Sequence, residues 1–159
     1  MTEERITLKK LLEEAKVFVD KNYDPDPPRI FYQMAYPIQE VEELDPSFSE
    51  VLFQMIKEKG ISETDCYKKA NLDRRLFSKI RSNVDYQPSK NTVFALCISL
   101  GLDLQEAKKL LDSAGYSLSR SIKMDTVMAF LFTKKISDIF VANEILESFS
   151  CTLLGSNPK

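Results

Sequence analysis

Apolar residues recur at three- and four-residue spacing along most of this chain, which predicts a succession of amphipathic helices. Leu8, Leu11, Leu12, Ala15, Phe18 and Val19 mark one over about 6–21. Ser47 with Glu50 has the spacing of a capping box; Phe48, Leu52, Met55 and Ile56 share the following face, and Gly60 closes it. Ser62 with Asp65 opens a short helix to about Ala70. Asp73 can cap the next, with Phe77 and Ile80 facing inward and Asn83 as its stop. Ser89 opens a helix with Val93, Leu96, Cys97 and Leu100, closed by Gly101. Asp103 with Glu106 opens another, with Leu104, Ala107, Leu111 and Ala114, closed by Gly115. Beyond it, Met124, Val127, Met128 and Leu131 mark one helix, and Ile139, Ala142, Leu146 and Phe149 a last one. The run VMAFLF is apolar around most of its circumference, which predicts burial on two sides, and the ending LLGSNPK reads as frayed. The expected fold class is all-α: a compact five-helix bundle with an N-terminal helix and about two C-terminal helices.

One stretch breaks the rhythm. Residues 22–46 hold five of the seven prolines, which preclude a continuous helix. Yet Ile30, Phe31, Tyr32, Met34 and Tyr36 are too apolar for an idle linker. The segment reads as a loop packed on the body, or as a partner surface carried by Ile30, Phe31, Tyr32 and Tyr36.

Composition narrows the function classes. With 159 residues, 43% hydrophobic and 29% charged, the chain suits one domain or one domain with an appendage. No apolar run approaches the roughly 20 residues of a membrane span, and the N-terminus lacks a signal peptide's apolar core. No membrane association and a cytoplasmic location are expected. Cys66, Cys97 and Cys151 are dispersed and there is no histidine, so a zinc site is not expected and the cysteines read as small buried hydrophobes. Without histidine the usual proton shuttle is missing, the four glycines form no phosphate loop, and Glu13/Glu14 and Glu42/Glu43 are adjacent pairs that face different ways on a helix. No catalytic residues, metal or cofactor are expected.

The net charge of −2 hides an asymmetry. Residues 1–50 carry twelve acids and six bases, whereas residues 57–90 carry nine bases and five acids. The positive excess falls on GISETDCYKKANLDRRLFSKIRSNVDYQPSK, which reads as a short helix, a break of three to four residues and a second, basic helix. That is the pattern of a helix-turn-helix, a motif that can set a basic helix in a DNA major groove.

The segment 48–115 resembles the Xre/Cro-repressor class of helix-turn-helix domains. The likeness is carried by GISETDCYKKANLDRRLFSKIRSN, a loop containing Pro88, and TVFALCISLGLDLQEAKKLL; Ser62, Leu72, Phe77, Ile80, Pro88, Leu96 and the Leu100-Gly101-Leu102 ending match in kind. Three positions depart from the pattern. Glu63 replaces a glutamine that often contacts a phosphate, Tyr67 replaces a small residue inside the first helix of the motif, and Asn71 replaces the turn glycine. The resemblance implies a helix-turn-helix domain over 47–115, flanked by the N-terminal helix and Pro/Tyr-rich loop (1–46) and a helical extension (116–159) packed on the bundle.

It also implies that Arg74, Arg75, Ser78 and Lys79 contact base edges of double-stranded DNA, and that Lys68, Lys69, Arg81, Asn83 and Lys90 lie near phosphates. Tyr86 and Gln87 in the following loop are placed to reach sugar or backbone. Two functions stay open. One is a sequence-specific DNA-binding regulator, dimeric through its C-terminal helices. The other is an adaptor that binds a protein through the same scaffold or through the 22–46 loop. The local positive charge and the Arg74-Arg75 pair favour the first; the acidic total, Glu63 and the aromatic Pro-rich insertion favour the second.

Overall fold

Short polar side chains start most of the helices, because the first N–H groups of a helix have no partner within it. The computed structural model describes residues 3–25 and 46–155. All regular structure among them is helical: α1 (Glu3–Asn22), α2 (Phe48–Lys59), α3 (Glu63–Lys69), α4 (Arg74–Ser82), α5 (Lys90–Ser99), α6 (Leu104–Ser113), α7 (Lys123–Thr133) and α8 (Ile139–Ser148). Ser47, Ser62 and Ser89 accept through Oγ from the N–H three residues on, at 3.2, 3.0 and 3.2 Å. Asp73 accepts from Arg75 N–H at 2.8 Å. Asp103 and Glu106 form a reciprocal capping box, whereas at Ser47 the structure shows the serine half of one. Gly60 follows α2 with φ of +69°, a left-handed conformation that glycine adopts without a Cβ penalty.

The core is organised around α5. Every residue from Val93 to Leu100 is buried, so the helix has no solvent face and needs apolar neighbours on all sides. It packs against α3, α6, α7 and α8. Phe94 and Phe132 of α7 meet at 6.2 Å between ring centroids. The expected two-sided burial of VMAFLF is present: Val127, Met128, Phe130, Leu131 and Phe132 are all at most 2% exposed.

The N-terminal helix packs on the end of its own chain. Phe18 lies 5.6 Å from Phe130, the Lys134 ammonium meets the Glu14 carboxylate at 2.9 Å, and Arg120 Nε–H donates to Asn22 O at 2.9 Å. Residues 14, 18 and 22 thus face residues 134, 130 and 120, so α1 runs antiparallel to α7. The hydrogen bond from Lys134, with its charge, holds the Glu14 carboxyl below the usual carboxylate range.

The described part of the ending, residues 153–155, departs from the frayed segment expected, and residues 156–159 lie outside the described residues. Leu154 is fully buried, and residues 151–155 have a defined path back to the bundle. Burying a leucine beyond the last helix contributes about 1.5–3 kcal/mol toward the cost of ordering this segment. The proposed partner surface at Ile30, Phe31, Tyr32 and Tyr36 lies outside the described residues. No helix among the described residues is long and apolar enough to cross a membrane.

Two expectations follow from this core. Phe132→Ala removes the ring that covers Phe94 and should lower the unfolding free energy by about 3–5 kcal/mol, a large part of a typical total of about 5–15 kcal/mol; urea unfolding followed by circular dichroism measures it. Burial pushes the Cys66 thiol from its ordinary 9.0 up to about 11, and the fully buried Cys97 thiol higher still. The denatured chain therefore releases these protons before the folded chain does, so the thiols leave stability unchanged below about pH 9 and lower it as pH rises toward 11. The slope is at most about 1.4 kcal/mol per pH unit for each thiol. Cys97→Ala should flatten that alkaline loss, as read from urea midpoints at pH 8 and pH 10.

Candidate nucleic-acid interface

The helix-turn-helix pattern is built by α3, the turn 70–73 and α4. Asn71 N–H donates to Lys68 O at 3.0 Å and Leu72 N–H to Tyr67 O at 2.9 Å, which wraps the end of α3. Asn71 itself has φ of +54°, a conformation that asparagine tolerates better than most residues. Ala70 is fully buried beneath the turn. Ser99 of α5 donates its hydroxyl to Cys66 O at 2.5 Å, which ties α3 to the central helix.

The inward face of α4 is aromatic. Phe77 and Ile80 are buried, with Phe53 edge-on to Phe77 at 5.6 Å and Tyr67 tilted against it at 5.5 Å. Tyr67 therefore occupies the space between α3 and α4 that a small residue would leave open. At 3.6 residues per turn, Arg74, Arg75, Ser78 and Lys79 lie on the opposite side, and all four are exposed. Among the described residues, no acidic side chain forms an ion pair with Arg74, Arg75 or Lys79. Lys68 and Lys69, at the end of α3, are exposed as well.

Other candidate residues are engaged within the chain. Arg81 pairs with Glu63, and its guanidinium lies 5.3 Å from the Phe53 ring centroid. Glu63 thus faces a cation of its own chain. Asn83 ends α4 and accepts through Oδ1 from Asp85 N–H at 3.0 Å, which shapes the loop toward Pro88. That loop is pinned to the end of α6: Gln87 donates its amide to Ala114 O, and Tyr116 donates its hydroxyl to Pro88 O at 2.7 Å. Gln87 is therefore occupied rather than poised for a nucleic-acid backbone.

Lys90 departs most from its expected role. Its ammonium lies 2.7 Å from Asp125 Oδ2 and 5.7 Å from the Phe94 ring centroid. The Asp125 side chain is 3% exposed and also accepts from Ser119 N–H at 2.9 Å. A phosphate at Lys90 would compete with a buried carboxylate that has no water to turn to, so Lys90 is read as a structural cation and not as a phosphate contact. The sequence carried one sign of this pairing: Asp125 is the lone acid in the apolar run KMDTVMAFLF.

Among the described residues, no group of three or more metal-ligating side chains comes together. Comparisons with protein-family models, curated proteins and solved structures give no match.

The two kinds of cation are distinguishable by stability alone. Lys90→Met strands Asp125 and should lower the unfolding free energy by about 3 kcal/mol. Arg75→Ala, on an exposed face, should change it by less than about 0.5 kcal/mol. Parallel thermal and urea unfolding of the two variants makes the comparison; equal effects would contradict the assignment of Lys90.

Proposed function

We propose that this chain is a non-enzymatic, sequence-specific DNA-binding regulator of Xre/Cro-like helix-turn-helix type, acting in the cytoplasm, with α4 as its major-groove helix. The observation that carries this reading is the division of α4 into two faces. One is held by Phe53, Tyr67 and the core; the other presents Arg74, Arg75, Ser78 and Lys79 without acidic partners among the described residues. Arginine can bind guanine O6 and N7 with both arms of its fork, so adjacent arginines at the start of a helix suit base readout. Lys68, Lys69 and Asn83 flank that face and suit phosphates.

Arg81 belongs with them despite its bond to Glu63. Both side chains are about half exposed, at 56% and 43%, and such a surface pair contributes about 0–1 kcal/mol. A phosphate can therefore take the guanidinium from Glu63 at small cost. The second reading, an adaptor that binds a protein through the same helix, is favoured by Val84, which is 58% exposed beside the basic face. In either reading the chain acts as a homodimer or with a protein partner.

Mobility shift against the DNA upstream of the protein's own coding sequence and against random duplex, each with a salt titration, tests the regulator reading. Wild type should lose affinity steeply with salt. The double variant Arg74→Ala, Arg75→Ala should lose discrimination between the two duplexes, at about 1–3 kcal/mol per base contact. Lys69→Ala should weaken both alike and reduce the salt slope by about 1. Absence of salt-dependent DNA binding by wild type would falsify the regulator reading. The double variant would then be compared with wild type for loss of a protein partner in a pull-down.

A further inference from the structure

We infer that residues 151–155 form a strap that clamps the α3–α4 turn to α8 and so sets how firmly the basic helix is held to the bundle. The chain reverses after α8: Ser150 has φ of +57° and Cys151 N–H donates to Leu146 O at 2.9 Å. It then runs back to the bundle without regular secondary structure. Leu154 is fully buried, and both of its backbone polar groups are taken by one side chain on α8. Asn143 Nδ2–H donates to Leu154 O at 3.1 Å, and Leu154 N–H donates to Asn143 Oδ1 at 2.7 Å. An amide that both donates and accepts in this way substitutes for a neighbouring strand, and it leaves no buried backbone group of Leu154 unsatisfied.

The end of the strap sits on the turn. A Cβ placed on Gly155 would lie 3.0 Å from Asn71 Cβ and 3.3 Å from Asn71 O. Gly155 also has φ of +94°, outside the range that side-chain-bearing residues readily adopt. Backbone thus meets turn with no room for a side chain, at the residue whose left-handed conformation makes the turn. Beside this contact lies a cleft of about 200 Å³ lined by Leu72 and Leu76 of the motif, by Leu153 and Gly155 of the strap, and by Ser89, Asn91 and Thr92 at the start of α5. Leu76 at this end of α4 is half-buried, packed against the edge of the core and bordering the cleft. Of the elements around it, α4 packs most closely on α3. Contact with the turn thus fixes the end of a helix that is otherwise anchored through Phe77 and Ile80. Lifting the strap is a means of loosening α4 without unfolding α5 or α7. This holds whether the basic face binds DNA or protein.

Hydrogen exchange read by mass spectrometry on the full chain, with no ligand present, tests the strap. Asn143→Ala removes both bonds to Leu154. Amides in 63–82 and in 150–155 should then exchange at least about tenfold faster, with α5 and α7 unchanged. Faster exchange confined to 150–155, or no change at all, overturns the inference. Should Asn143→Ala raise exchange everywhere, Gly155→Ala decides. Its Cβ pushes the strap off Asn71 while leaving the amide clamp intact, and unchanged exchange in 63–82 would then overturn the inference.

Discussion

The burial of α5 on every side is the constraint from which the arrangement follows. A helix whose residues 93–100 all lie out of solvent cannot be satisfied by one layer of neighbours. Helices α3 and α6 cover part of it, and α7 and α8 cover the rest. The last two helices are therefore structural members of the same core and not a decoration on it, with Phe132 against Phe94 as the central contact. The α3–α4 unit hangs from this helix through α3, where Ser99 holds Cys66 O, and α4 is attached in turn through Phe77 on Tyr67 and Phe53.

Polar contacts then decide orientation, which apolar packing leaves loose. Asp125 is a carboxylate in a largely apolar place, and it is tolerable there because Lys90 and the Ser119 N–H converge on it. This joins the start of α5 to the start of α7. The Gln87 and Tyr116 bonds join the loop after α4 to the end of α6. Asn143 joins α8 to the last described residues. The first two link segments 27 to 35 residues apart in the chain, and the third closes the turn after α8. Together they surround the basic helix with fixed points while leaving its outer face in solvent.

Local physics made much of this legible from the amino-acid order. Capping at Ser62, Asp73, Ser89 and Asp103 depends on a few adjacent residues, and each of these residues caps the helix expected of it. The inward pair Phe77 and Ile80 followed from helical spacing, and so did the exposure of Arg74, Arg75 and Lys79. What stayed hidden is non-local. Lys90 looked like any other cation on a basic stretch, because its partner lies 35 residues on. The ending looked polar and glycine-bearing, and nothing in its composition announces that Asn143 holds Leu154. Tyr67 appeared too large for its position, since the ring it packs on, Phe77, belongs to another helix and is itself backed by Phe53 of a third.

The antiparallel docking of α1 on α7 has a consequence for synthesis. Ala15 and Val19 on α1 are buried, yet the chain that faces them is made more than a hundred residues later, as the Glu14–Lys134 contact shows. At translation rates of about 5–20 residues per second, that is a wait of roughly 6–24 s. The face of α5 that receives Phe132 is likewise bare until α7 emerges from the ribosome. The nascent chain therefore carries its central helix incompletely covered until residues 123–133 have been made. Closure of the bundle is a late event that depends on the C-terminal helices being free of the exit tunnel. In the cell, that interval is when such a chain is open to chaperones and to aggregation with its own copies.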